Sequence, residues 1–364
     1  MIDSIPILEA RNLEVKRGGA VTLNVPSLSI QQGEILSLIG PNGAGKTTLL
    51  QVLCCLLKPV RGEISFRGER ISSGHSAFEY RRKLAMVFQE PLLFDTTVFE
   101  NAASGLKIRG MKRQDIQRIA MEQLDRFGIG HLSRRSARKI SGGEAQRASL
   151  ARAFALQPEI LFLDEPFASL DPPTRESLIE DLEGVLRQTQ TTTLFATHDR
   201  QDALRLSDRI AVMNEGKILQ IGRPDEVMNH PVDEFVASFV GVETVLTGKV
   251  TKRDGGTFAA SISGSQIEAV GEANLGETVI LCIRPENVTL FIHSSKESTS
   301  ARNVFLGKIV RMTSLGLYQK VQLDCGFPLV AYVTNHSSQE LSLSEGKEVK
   351  ASFKATAIHV VRKG

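Results

Sequence analysis

The segment Gly40–Thr47, GPNGAGKT, constrains the architecture of this chain more than any other stretch. It follows an apolar run, EILSLI, and opens a second apolar run of helical character, TTLLQVLCCLL. A strand that feeds a glycine-rich turn and then a helix is the frame of a phosphate-binding loop. The glycines allow backbone N–H groups to curl around an anion, and the helix N-terminus adds positive potential. In this frame Gly40, Pro41, Asn42, Gly43, Ala44 and Gly45 form the cradle, and Thr48 continues it. Lys46 then reaches the β and γ phosphates, and the Thr47 hydroxyl ligates Mg²⁺.

Short apolar runs such as EILFLDE and TTLFATH alternate with amphipathic helical stretches as far as about Val242, which predicts a largely parallel α/β sheet. The run ILFLDE ends in Asp164 and Glu165, so a dry strand delivers two carboxylates to the edge of the sheet where ligands bind. Asp164 fits a Mg²⁺ ligand, direct or through water, and Glu165 fits the group that polarises an attacking water. A solvated acid pair at a strand end is the alternative. Ser141, Gly142 and Gly143 precede the helical stretch EAQRASLARAFAL, with Ser141 a natural N-cap and the glycines exposing N–H groups to an anion. By itself that sequence reads more often as a plain cap.

Taken together, GPNGAGKTT, ISGGEAQR, ILFLDEP and ATHD, in this order, resemble the nucleotide-binding cassette of ABC transporters over roughly residues 7 to 240. The resemblance implies an ATPase in which two cassettes pair head to tail, the P-loop of one and the ISGGE segment of the other enclosing each ATP. One cassette per chain then implies a homodimer. The resemblance also carries roles for three further residues. Gln89 in VFQEP matches the glutamine that senses Mg²⁺ and the attacking water, His198 in ATHD the switch histidine at the γ-phosphate, and Asp171 in ASLDP the loop linking the two sites. It implies ATP and Mg²⁺ as cofactors, two transmembrane permease subunits as partners, and an extracytoplasmic solute-binding protein as an indirect one.

Two positions depart from the family pattern. Arg17 stands where the family usually has an aromatic residue stacked on adenine, and ISGGE replaces LSGGQ. A guanidinium plane also stacks on a base, so weaker base discrimination is expected rather than lost binding. The stretch from about residue 90 to 156 is expected to form a helical subdomain that grips the permease. Within it Leu92, Leu93 and Phe94 belong either to a docking groove or to the subdomain core.

From about Thr244 the texture changes to short alternating strands with Gly and Ser turns, which suggests small β-barrels. The expected organisation is a cassette over 1–242, a first β-module over 243–292, a Ser-rich linker over 293–300 and a second module over 301–364. A shift of 70 positions lays Gly276, Val279, Ile283, Arg284 and Val288 on Gly346, Val349, Phe353, Lys354 and Ile358, which reads as an internal repeat. LCIRPENVTL resembles the TOBE domains behind importer cassettes, and the final sixty residues resemble the molybdopterin-type oxyanion-binding module. That resemblance implies an importer, and molybdate or tungstate as its cargo. Ser300, Arg302, Lys354 and Thr356 are candidate donors to such an oxyanion. A purely structural, dimer-stabilising tail is the alternative, as are ferric iron, sulfate, polyamine or sugar as cargo.

Composition excludes some other classes. No apolar run approaches a membrane span, so a peripheral place on the cytoplasmic face of the membrane is expected, and MIDSIPILEA has no basic head before a long apolar stretch. A net charge of +3 gives no case for a nucleic-acid partner. Cys54, Cys55, Cys282 and Cys325 lack CxxC spacing and read as free thiols. A soluble ABC ATPase of DNA repair or translation is the rival from another class. Such proteins carry coiled-coil or zinc inserts or a second cassette, none of which this sequence has.

Overall fold

Apolar residues recur along β1 (Leu8–Arg17) and β2 (Ala20–Ile30), and the antiparallel register sets Leu8 opposite Ile30 and Leu13 opposite Val25 on one buried face. The computed structural model describes residues 5–72, 74–292 and 300–362. Two units are distinguished, Met1–Pro224 and Asp225–Gly364.

In the first unit, β3 (Ile35–Ile39) runs into α1 (Lys46–Leu53) through the glycine-rich turn, as the sequence predicts. Then come β4 (Arg61–Phe66), β5 (Glu69–Arg70), α2 (His75–Arg82) and β6 (Leu84–Val87). The helices α3 (Val98–Ile108), α4 (Arg113–Arg126) and α5 (Gly142–Ala155) fill the stretch expected to be helical. After them come β7 (Ile160–Asp164), α6 (Pro172–Thr189), β8 (Thr192–Thr197), α7 (Arg200–Leu206), β9 (Arg209–Asn214) and β10 (Lys217–Gly222).

The strands form an antiparallel sheet, β2-β1-β4-β5, and a second sheet, β10-β9-β3-β8-β7-β6, parallel except for β10. Strand β7 is buried on both faces, as a parallel strand between covered faces must be. Its alternation sends Leu161 and Leu163 into the core shared with α3, α4 and α5, and Ile160 and Phe162 into the core shared with α1 and the antiparallel sheet. Phe162 is fully buried, so its truncation to Ala is expected to cost about 3–5 kcal/mol.

The second unit corrects the expected domain boundary. The helices α8 (Pro224–Asn229) and α9 (Glu234–Phe239) lie before residue 242, yet nearly all of their residues group with the β-rich tail. Two bonds explain this: Arg284 donates to the Met228 carbonyl, and His359 Nε2 donates to the Pro231 carbonyl at 2.9 Å.

The tail strands are β11 (Thr244–Asp254), β12 (Thr257–Ile262), β13 (Ser265–Val270), β14 (Thr278–Ile283), β15 (Thr289–Phe291), β16 (Asn303–Ser314), β17 (Tyr318–Asp324) and β18 (Pro328–Thr334). They are followed by α10 (Asn335–Glu340), β19 (Glu348–Phe353) and β20 (Ile358–Arg362). The sheets run β13-β12-β11-β14-β20 and β15-β19-β16-β17-β18. The modules are therefore not consecutive along the chain, because each sheet takes its last strand from the other half of the sequence. The expected linker lies, except for Ser300, outside the described residues.

The repeat is borne out in register. Cys282 pairs with His359, and Ser352 pairs with Thr289, the positions that a shift of 70 predicts. The two copies share one apolar core, which includes Leu281 and Ile283 from one and Ala351 and Phe353 from the other. The four cysteines are free thiols, with Cys55 half-buried and the other three buried.

Candidate functional site

The P-loop backbone is shaped by close approach and by handedness. A Cβ on Gly40 would meet the Met213 carbonyl oxygen at 2.2 Å, and Gly45, the residue before α1, holds φ at +100°, where an L side chain is strained. The Lys46 ammonium donates to the carbonyls of Gly40 (2.8 Å) and Pro41 (3.3 Å) and lies 3.3 Å from Glu165 Oε1. Thr47 Oγ1 donates to Asp164 Oδ1 at 2.9 Å. Burial pushes the Asp164 carboxyl above its usual range, against the bond from Thr47.

Glu165 stands one residue past β7 with φ at +46°, an uncommon conformation for a non-glycine residue. Its N–H bonds to Ala196 O of β8, which fixes the turn. Its Oε2 accepts from the His198 backbone N–H at 3.3 Å and lies 2.8 Å from His198 Nδ1. With the imidazole proton on Nδ1, this contact is a hydrogen bond donated to the carboxylate. Lys46, Thr47, Asp164, Glu165 and His198 are thus joined at the C-terminal ends of β3, β7 and β8.

Other expected residues stand apart from this group. Gln89 is exposed just beyond β6, whose neighbour is β7, and makes no hydrogen bond among the described residues. Ser141 begins α5 with a reciprocal capping box: Glu144 N donates to Ser141 Oγ (3.3 Å) and Ser141 N donates to Glu144 Oε2 (2.7 Å). That bond holds the Glu144 carboxyl below its usual range. No hydrogen bond or ion pair joins residues 141–143 to the P-loop among the described residues. Arg17 is exposed at the end of β1, beside the Gly18–Gly19 turn. Asp171 caps α6 by accepting from Thr174 N at 3.3 Å, and the Thr174 side chain first, then this backbone bond, lower its carboxyl.

The sequence reading missed a network behind His198. Arg175, one turn into α6, donates to Asp199 and to Asp202, the latter at 2.6 Å. Asp202 is 4% exposed, and burial pushes its carboxyl up to about 6, against the pull of Arg175. Thr197 Oγ1 accepts from Asp199 N at 3.0 Å. Arg175 therefore ties the start of α6 to the loop that carries His198. Its only sequence signal is an arginine four residues after Asp171, which by itself reads as surface charge.

Leu92 (59% exposed) and Phe94 (57% exposed) face outward, whereas Leu93 packs against the core, so the two expected readings divide among the three residues. The loop is rigidly held. Asn101, fully buried, accepts from Phe94 N at 2.7 Å and donates to Phe94 O at 3.0 Å, while Arg152 donates to Leu92 O at 2.7 Å.

In the second unit, a cleft of about 650 Å³ is lined by Lys252, Arg302, Lys354, Thr356, Asp254 and Glu268, among others, and Ser300 lies at its wall. All four expected tail residues thus line one cavity.

The ABC transporter family pattern matches residues 23–168, and the TOBE domain pattern matches residues 299–360. The molybdate/tungstate import ATP-binding protein WtpC of Pyrococcus horikoshii is 38% identical over 92% of this chain and 94% of its own length. The chain belongs to the ABC transporter ATP-binding family. This ABC protein is an import ATPase subunit, and it binds ATP. The spermidine/putrescine import ATP-binding protein PotA of Borreliella afzelii is 34% identical over 98% of the ABC chain and 99% of its own length. Among solved structures, cbiO1 from Clostridium perfringens, part of the ABC transporter complex cbiONQ, superposes with a TM-score of 0.58 at 29% identity, over 65% of this chain and 95% of that one. The dimeric structure of MJ0796, a bacterial ABC transporter cassette, gives 0.55 at 29% identity over 60% and 98%. No helix among the described residues of the ABC chain is long and apolar enough to cross a membrane.

Proposed function

We propose that this ATPase works as a homodimer on the cytoplasmic face of a membrane, drives two permease subunits, and imports molybdate or tungstate delivered by an extracytoplasmic binding protein. The cargo reading is carried by the cleft of the second unit, in which Arg302 and Lys354 face open volume together with Thr356. A tetrahedral oxyanion needs such charge-assisted donors. Relatives named as molybdate/tungstate importers support the same reading.

The proposed chemistry uses this chain's own groups. Lys46 balances phosphate charge, and Ser141, Gly142 and Gly143 of a second copy offer the anion-binding end of α5 across the dimer. Glu165 takes the proton of the attacking water as the new P–O bond forms and the β–γ bridging P–O bond breaks. His198 holds the Glu165 carboxylate through Nδ1. Thr47 Oγ1 and Asp164 Oδ1, 2.9 Å apart, are hard oxygen donors of the kind that would hold Mg²⁺, and Gln89 would serve as a further oxygen donor to it. When bound, Mg²⁺ neutralises charge on the phosphates. Arg17 offers its guanidinium plane to the base, and Asp171 sits where the two sites communicate. Leu92 and Phe94 form the permease-docking surface.

Polyamine uptake is the second reading, favoured by the relatives of that name. The two are separated by titrating the purified full-length chain by calorimetry with molybdate, tungstate, sulfate and spermidine. Saturable heat with the first two anions alone supports the oxyanion reading, and heat with spermidine alone overturns it.

A further inference from the structure

The duplication inside the second unit supplies an internal control for its basic cleft. Thr244 of β11 pairs with Ile283, and Asn303 of β16 pairs with Phe353, so Thr244 and Asn303 are equivalent positions. The bulges agree, falling between Val250 and Lys252 in one copy and between Ile309 and Arg311 in the other. So does a hydrogen bond: Val330 N donates to Thr244 Oγ1 (3.0 Å) as Glu268 N donates to Asn303 Oδ1 (2.8 Å).

One residue before each of these positions the copies diverge in charge. Arg302 lines the open cleft, and its equivalent is Glu243. The Glu243 carboxylate accepts from the Tyr332 hydroxyl and pairs with the Lys320 ammonium. Tyr332 and Lys320 are cross-strand partners, equivalent to Val270 and Thr257, which are partners in the wall of the open cleft. Arg284, the equivalent of Lys354, pairs with Glu286 at 3.5 Å, and Glu286 is the equivalent of Thr356. Glu243 thus sets a carboxylate, in its own copy, against the equivalents of two residues that line the open cleft of the other.

The two copies also differ in how their charges are used. Glu243 receives an ammonium and a hydroxyl donor, the donor chemistry that holds an oxyanion. In the open cleft Lys252, Arg302 and Lys354 form no ion pair among the described residues, although the Asp254 and Glu268 carboxylates share its walls. Three cations that line a cavity without pairing to its carboxylates are a site for an external anion. The carboxylates restrict where that anion sits, toward Arg302, Lys354 and Thr356.

We propose that Glu243 is the built-in occupant of a second copy of the oxyanion cleft, so that each chain takes one oxyanion at Arg302 and Lys354 and keeps the twin cleft closed with its own carboxylate. This rests on the reading above that the open cleft takes an oxyanion. The lock lies at the start of β11, directly after the segment that carries α9, so the same carboxylate also anchors that segment to the β sheets.

The test is calorimetric titration of the full-length chain with molybdate. The wild-type chain is expected to bind one anion per chain, and Arg302→Ser to weaken that binding by at least ~10-fold. Glu243→Ser, which leaves Lys320 and Tyr332 in place, is expected to show two sites. If that variant fails to fold, Glu243→Ala, which also removes the carboxylate and most of the side chain, serves the same comparison. Two anions per wild-type chain, or a single site persisting in a folded Glu243 variant, overturns the lock while leaving the oxyanion reading intact. Absence of binding by the folded wild-type chain overturns the oxyanion reading itself, and the lock with it.

Discussion

Glu165 Oε2 and His198 Nδ1 lie 2.8 Å apart, a contact that joins the end of β7 to the loop after β8 and leaves Glu165 Oε1 facing Lys46. The role proposed for Glu165 predicts that Glu165→Gln, which cannot take a proton, lowers ATP hydrolysis by about 10²–10⁴-fold. ATP binding persists, because Lys46 keeps its bonds to Gly40 and Pro41. Phosphate release and binding of a fluorescent nucleotide check the two halves separately, and near wild-type turnover in the variant would sink the assignment.

The network behind that contact has a pH signature. The Asp202 carboxyl is raised to about 6, so between pH 4 and 6 the folded chain keeps a proton that the unfolded chain has lost. Stability therefore falls as pH rises through that window, by up to about 3 kcal/mol, and is flat with respect to this group above it. Asp202→Asn removes that slope. Urea unfolding of both proteins at pH 4.5 and 6.5 measures the difference, and identical pH dependence would refute it.

Arg175 is expected to act through position rather than contact with substrate. Arg175→Ala releases the loop bearing His198 and leaves the buried Asp202 without its cation, so the maximal rate falls more than nucleotide affinity does. Arg175→Lys restores part of the rate, since one charged bond to the acid pair survives. A loss confined to nucleotide affinity would contradict this.

At the docking loop, Phe94→Asp is expected to abolish cargo uptake by the assembled transporter and to leave the ATPase of the isolated chain unchanged, because the ring is exposed. Asn101→Ala is expected instead to lower stability by about 2–4 kcal/mol, because it strands the Phe94 backbone groups. Joint loss of ATPase and uptake in Phe94→Asp would assign this residue to the core.

Arg17 predicts relaxed base choice. Hydrolysis rates with ATP and GTP within about threefold of each other fit a guanidinium stacked on either base, and strict ATP selectivity excludes it.

The P-loop, the β7 carboxylates and the α5 cap were legible because each couples a local conformation to a residue pattern: glycine at a positive φ, a dry run ending in acids, serine before a helix. The Arg175–Asp202 tie was not, since it joins residues 27 apart whose only signature is charge on two helices. Equally hidden was the fate of β15 and β20. Period-two alternation marks a strand but does not choose its neighbour, and here the shared core draws each one across to the other copy. The boundary near residue 224 escaped for the same reason, because side chains from beyond residue 280 hold α8 and its following loop.

Strand β20 closes a sheet whose other members are complete by Ile283. A ribosome adding about 5–20 residues per second therefore leaves the edge of β14 unpaired for several seconds, during which that edge is a template for any passing strand. Completion of β20, rather than of the ATPase unit, sets the moment at which that edge is covered. Removing β20 would open the first sheet at β14 instead of fraying a loose end.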